Sequence, residues 1–295
     1  MSVIPALPRS RRARLTVKKS AAPTHEFDPG PAFQPFRDLA ADYPSTDVYP
    51  PADFRTEWGP IFHRGRLDGS ARLLVIGQDP AAHETFVRRI LVGAAGQRVQ
   101  GFMAKLGITT SYVMINTFLY SVASQSGGNN HKNDAQIAAY RNRWIDAILT
   151  TAKIEAVVAL GSLADAAWSQ FKKSPFGAAH AKPPYAKIMH PTADAPRPGQ
   201  PDTTAVTKQL LATWNVGLAT LRPAIKTPDA AADLTNYGEA WKPENLVQIP
   251  PRDYPAGLPQ WMHDLDGWAV RGVPPGTPPE KRRLLSIVVP EGATS

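Results

Sequence analysis

The sequence contains no cysteine. That removes disulfide frameworks, thiolate nucleophiles, cysteine-ligated zinc and cysteine-held iron–sulfur clusters together. No apolar run approaches the roughly 18 residues a membrane span requires, so no membrane partner is expected. The first residues, MSVIPALPRSRRARLTVKK, place their charges after the apolar positions and hold no long apolar core, which does not read as a signal peptide. A cytoplasmic monomer is the simple expectation. Phosphate loops of the form GxGxxG, GxxxxGKS or GxxxxGKT are also missing, so a nucleotide-binding flavodoxin-like enzyme would lack its phosphate cradle. The seven histidines show no paired ligand spacing, and neither a metal nor another cofactor is expected.

What is present suits a globular protein. Of 295 residues, 43% are hydrophobic and 20% charged, enough to bury a core. The formal charge is +8, from 33 Lys+Arg against 25 Asp+Glu. Residues 60–200 carry sixteen of the basic residues and only eight acids. A middle segment this basic suggests an anionic partner, with nucleic acid the first candidate. An ordinary basic enzyme has the same charge, so the balance alone leaves both readings open.

Proline marks out the organisation. Only eight of the thirty prolines fall in residues 60–200, so the regular fold is expected there. Residues 1–25, with six basic side chains and no acid, read as a disordered arm. Residues 26–59 read as an irregular lead-in, 60–225 as the catalytic domain, and 226–295 as a Pro- and Trp-rich extension. Trp241, Trp261 and Trp268 would pin that extension onto the domain.

The middle alternates strand and helix signals. Strands are expected at Ala71–Gly77, Tyr112–Ile115, Ala156–Leu160 and Tyr185–Met189. Helical spacing runs through 86–106, around 135–152, over Ser162–Phe171 and within Thr203–Leu221. Glycines 93, 96 and 101 speak against one unbroken helix over 86–106. The pattern predicts an α/β fold, a three-layer αβα sandwich with a central four-stranded parallel sheet. In such sheets ligands bind beyond the carboxyl ends of the strands.

Gly77-Gln78-Asp79-Pro80 follows the first strand, Asn116 the second, Gly161-Ser162 the third and His190-Pro191-Thr192 the fourth. Singly, each has a structural explanation. Asp before Pro is a common turn, asparagine and Gly-Ser cap turns and helices, and a lone histidine is often a hydrogen-bonded core residue. Together, in order, each at its own strand end, they describe an active-site rim.

These segments resemble the uracil-DNA glycosylase superfamily. GQDP at 77–80 is similar to the water-activating motif of the classical enzymes, VMINTFLYSV at 113–122 to the strand ending in the base-selecting asparagine, ALGSLADAAW at 159–168 to the glycine-serine loop, and HPTADAP at 190–196 to the histidine motif. LVGAAGQRVQGFMAKLGI at 91–108 looks more like the family 4 and family 5 enzymes, whose iron–sulfur cluster this cysteine-free chain cannot hold. Ala81 stands where the classical motif has a thymine-excluding tyrosine. Leu91 stands where an aromatic residue stacks on uracil, with Phe86 as a possible substitute, and no leucine wedge is evident in ADAPRPG. The chain is therefore similar to an atypical member.

The resemblance implies a monofunctional glycosylase that flips uracil out of DNA, hydrolyses the N-glycosidic bond and leaves an abasic site. Asp79 would orient water and His190 would donate to uracil O2. Asn116 would read the base edge, while Gln78, Ala81, Leu91 and Phe86 would shape its pocket. Gly161, Ser162, Thr192 and Arg197 would hold the DNA backbone, with Arg88, Arg89, Lys132, Lys172 and Lys173 as further phosphate contacts. A protein that binds uracil or abasic DNA without turnover is the competing reading. Ala81 also predicts a pocket that admits 5-substituted bases.

Overall fold

The computed structural model describes residues 27–196, 199–264, 267–272, 277–278 and 281–292. The basic arm expected at 1–25 lies outside the described residues. Through the first part of the chain come α1 (Phe36–Ala41), β1 (Arg64–Gly65), β2 (Leu73–Gly77), α2 (Ala82–Val87), α3 (Ala94–Ala104) and β3 (Tyr112–Asn116). Then follow α4 (Gln125–Asn130), α5 (Ala135–Thr151), β4 (Ala156–Leu160), α6 (Ser162–Lys173), α7 (Pro175–Ala178), β5 (Tyr185–Ile188) and α8 (Thr204–Leu221).

The central sheet has the order β1-β3-β2-β4-β5. β3, β2, β4 and β5 are mutually parallel, while β1 pairs antiparallel with β3 through Arg64 opposite Met114 and Gly65 opposite Val113. The expected four-stranded sheet is thus corrected to five strands, one of them antiparallel. β1 is two residues long and carries an arginine, so no apolar alternation announces it.

Strand side chains alternate between two cores, as a period of two requires. Leu74, Ile76, Val113, Ile115, Val157 and Ala159 face α1, α5 and α6, meeting Phe36, Trp144 and Trp168. Leu73, Val75, Met114, Val158 and Leu160 face α3 and α8, meeting Phe102, Trp214 and Leu218. Local signals set the helix starts. The Asp134 carboxylate accepts the Gln136 and Ile137 N–H groups at the head of α5, and Ser124 accepts from Gly127 at the head of α4. The helical pattern over 86–106 resolves into α2 and α3, separated by a turn in which Leu91 takes a φ of 54°.

The C-terminal chain is laid over this sandwich. Trp241 packs on Trp214, ring centroids 5.3 Å apart, and donates its indole N–H to Asp194 at 2.8 Å. A short helix, α9 (Trp261–Asp264), leads to an antiparallel hairpin of β6 (Ala269–Arg271) and β7 (Leu285–Ile287). Trp268 meets Phe86 of α2 at 5.9 Å and Trp261 at 5.8 Å. Upstream, Asp253 ends a one-turn 3₁₀ helix, Pro251–Asp253, and is fully buried. Its carboxylate binds Arg66, accepts the Tyr112 hydroxyl and lies 3.5 Å from Arg64, tying this distant turn to β1 and β3. No helix among the described residues is long and apolar enough to cross a membrane.

Candidate active site

Because β3, β2, β4 and β5 are adjacent and parallel, their carboxyl ends form one rim. Along it stand Asn116, Gln78-Asp79, Gly161-Ser162 and His190, the four ends that the sequence singled out. Strands lie about 4.8 Å apart, so the rim spans about 14 Å between the β3 and β5 backbones, a gap that side chains from both ends narrow.

Asn116 pairs with Gly77 in the β2–β3 register. By strand alternation its side chain follows Tyr112 and Met114 to the α3–α8 face. Gly77 makes room for it, since a Cβ at that position would stand 2.3 Å from Asn116 Oδ1. The Thr117 and Phe118 N–H groups donate to the Gly77 and Gln78 carbonyls at 2.9 Å, locking the two strand ends together. Asn116 is 9% exposed, and its carboxamide makes no hydrogen bond to the described residues. Both its donor and its acceptor are therefore free to face a ligand. Asn116 also borders a cavity on the α5 side, with Tyr49, Phe62, Phe118 and Trp144, whose walls include neither Asp79 nor His190.

His190 stands two residues beyond Ile188, beside Gly161. Gly161 has a φ of 91°, and a Cβ there would lie 3.4 Å from His190 Cβ. Burial pushes the imidazole down to about 4, so the ring is neutral at neutral pH. The Thr192 N–H donates to Nδ1 at 3.3 Å, and the Thr192 hydroxyl lies 3.1 Å from the same nitrogen. A nitrogen that accepts a backbone N–H carries no proton, so the single ring proton sits on Nε2. Thr192, expected at a DNA phosphate, thus sets the tautomer of His190.

Asp79 is held from the far side of the rim. The Val122 N–H donates to its Oδ2 at 3.0 Å. Burial raises its carboxyl above the usual carboxylate range, opposed by the Val122 N–H, by Arg271, by Gln78 and by Arg55. Arg55 is fully buried and donates to the carbonyls of Val122 and of Ala123, the latter at 2.8 Å. It therefore fixes the peptide that anchors Asp79.

Ala81 is exposed at the start of α2, and its N–H donates to Glu84 Oε2 at 3.0 Å. Glu84 is itself buried, which raises its carboxyl. Leu91 is 8% exposed and belongs to the α3–α8 core with Ile61, Val99 and Phe102. Its carbonyl fits against Gly96, where a Cβ would fall 1.6 Å away. Phe86 packs in a different cluster, against Trp268, which withdraws it from the face that Asn116 shares. Ser162 is exposed in the first turn of α6, where the leading N–H groups lack intrahelical partners. Arg197 lies outside the described residues. Two of the expected phosphate contacts are otherwise engaged. Arg89 binds the buried Asp28 at 2.7 Å, and Arg88 donates to the Trp58 and Pro60 carbonyls at 2.8 and 2.6 Å.

Sequence reasoning missed Arg55, Glu84 and Arg271. For Glu84 a signal existed, since an acid three residues after a helix-initiating position commonly reaches back to that backbone N–H. Arg55 and Arg271 read only as charges in Pro-rich flanks. No group of three or more His, Asp and Glu side chains among the described residues could hold a metal ion.

A family model described as the uracil DNA glycosylase superfamily matches residues 64–214, from β1 into α8, and so spans all four strand ends. No curated protein matches the chain.

Proposed function

The chain belongs to the uracil DNA glycosylase superfamily, and we propose that it hydrolyses the N-glycosidic bond of uracil flipped out of DNA, leaving an abasic site. The observation that carries this reading is the seating of His190, whose Nδ1 faces the Thr192 N–H and hydroxyl and so leaves Nε2 as the donor. A neutral imidazole with its proton on Nε2, on the same rim as an uncommitted carboxamide, is a preorganised donor for an oxygen that becomes negative.

In this reading the Asn116 amide donates to uracil O4 and accepts from N3–H. Cytosine reverses both groups, leaving buried polar atoms unpaired at about 1–3 kcal/mol each. As the C1′–N1 bond breaks, its electron pair moves onto the base and the His190 Nε2–H stabilises O2. Water held by Asp79 adds its oxygen to C1′ and passes a proton to the carboxylate. Flipping costs a few kcal/mol, offset by phosphate contacts that include the first turn of α6 around Ser162. Leu91 would bound the base from the α3 side, and the small exposed Ala81 would leave space at C5.

The test is direct. Purified protein incubated with uracil-containing single- and double-stranded oligonucleotides should produce alkali-labile sites at the uracil and free base in equal amount. Intact strands after enzyme excess would end this reading. The aliphatic Leu91, where relatives in the resemblance stack an aromatic ring, favours a second reading, a binder without turnover. Complexes that persist in band shifts while no product forms would select it.

A further inference from the structure

The Val122 stretch that holds Asp79 is itself held by Arg55, upstream of the 64–214 segment, and chain downstream of that segment packs on the same cluster. Upstream, Trp58 presents its indole to two guanidinium groups, with Arg55 Cζ 4.9 Å and Arg271 Cζ 5.7 Å from the ring centroid. Its Nε1–H donates to the Arg283 carbonyl at 2.7 Å, which fastens the C-terminal chain here. The two arginines are used differently. Arg55 donates to the carbonyls of Val122 and Ala123, to the Arg282 carbonyl at 3.0 Å and to the Ser121 hydroxyl at 3.5 Å. The Arg271 side chain, half-buried, makes no hydrogen bond or ion pair with any described residue.

The place of Arg271 is nevertheless fixed. It ends β6 in register with Leu285 of β7. Two residues before β6's midpoint, Trp268 wedges against α2, its ring 4.8 Å from His83 and 5.9 Å from Phe86. α2 begins three residues after Asp79, so the hairpin packs on the helix that continues the Asp79 loop. Two like charges over one indole repel, and Arg271 helps push Arg55 down to about 10, second only to burial. An anion must balance such a pair. Among the described residues, the carboxylates facing Arg55 are Asp79 and Glu57, and Glu57 pairs with Arg283 at 2.8 Å. Glu57 is shared with Arg283, while Asp79 hydrogen-bonds only to backbone and to Gln78 and carries no cation partner of its own in hydrogen-bond contact among the described residues.

We propose that Arg271 is a positioning residue for the reaction: from a hairpin outside the family-matched segment its guanidinium joins Arg55 over the Trp58 ring, and this cluster, tied to Asp79 through Val122, orients the Asp79 carboxylate. The inference deepens the glycosylase reading and rests on it for its catalytic meaning. Its electrostatic content stands apart from turnover.

Carboxyl-detected NMR titration of Asp79, assigned by its loss in Asp79→Asn, is the deciding measurement. In Arg271→Gln the Asp79 midpoint should rise by about one pH unit, the lower end of the effect of a neighbouring opposite charge, and Arg271→Lys should restore most of it. On uracil oligonucleotides the acidic limb of kcat should move upward by the same amount in Arg271→Gln, with KM little changed. An unmoved Asp79 midpoint overturns the inference. So does a raised KM with a shallower salt dependence and an unmoved acidic limb, the signature of a DNA phosphate contact. If the wild-type chain releases no base, the glycosylase reading fails alone, and the titration still decides whether Arg271 governs Asp79.

Discussion

The two sides of the rim are held by different means. Asn116 and His190 are placed by the sheet: one pairs with Gly77 in a parallel register, the other follows β5 and rests against Gly161. Asp79 is placed by tertiary packing, through a peptide clamped by Arg55 and a helix backed by Trp268. A register is set by many backbone hydrogen bonds at once, whereas a clamp depends on a few side chains from remote chain. The Asn116–His190 side should therefore tolerate change outside the sandwich, and the Asp79 side should not.

The largest effects should come from the chemical groups themselves. Asp79→Asn should lower kcat by about 10²–10⁴-fold and His190→Ala by about 10²–10³-fold, read as abasic-site formation under single turnover. Trp268→Ala comes next. Removing a buried indole costs about 3–5 kcal/mol, visible as a lowered melting temperature, and it should depress kcat while leaving the uracil-over-cytosine preference intact. A loss of that preference would break the comparison. Gly77→Ala tests the other side. Its Cβ displaces the Asn116 amide and should reduce uracil-over-cytosine discrimination by about tenfold to a hundredfold, matching about 1–3 kcal/mol, with the Asp79 titration unmoved. The smallest effect is in the pH profile. Burial raises Asp79, so kcat should fall on the acid side at a pH above the ordinary carboxylate range. His190 stays neutral until about 4 and gains its proton only below that, so no inflection should appear near 6.5. An inflection there that vanishes in His190→Ala would refute the neutral donor.

The sheet side was legible in the sequence for a physical reason. Strands buried on both faces read as short apolar runs, and parallel topology forces their ends onto one edge, so Asn116 and His190 could be placed before any coordinates. β1 was not legible, because two residues, Arg64 and Gly65, carry no periodicity. The long 86–106 pattern hid a turn at Leu91, whose positive φ is unusual for a branched side chain. Phe86 and Leu91 could not be told apart from sequence, since the choice depends on Trp268, more than 170 residues away, occupying the Phe86 ring. Arg55 and Arg271 look like solvated charges until a fold brings them to one indole. Local sequence records what a residue's own strand or helix will do with it, and these residues act through partners that no local pattern names.

Asp253 carries a practical consequence. Any attempt to produce a minimal fragment by ending the chain near residue 225 would delete this carboxylate, leave Arg64 and Arg66 interred without their counter-ion and leave the Tyr112 hydroxyl only the Gln100 side chain at 3.1 Å. Orphaning a buried ion pair costs about 3–5 kcal/mol, a large part of what a domain of this size has in reserve. A fragment confined to residues 64–214 should therefore melt well below the full chain, which thermal unfolding of the two would check. Retaining the tail through 253 should restore that stability, because the partner of two buried arginines on β1 and its flank is carried 187 residues downstream of Arg66.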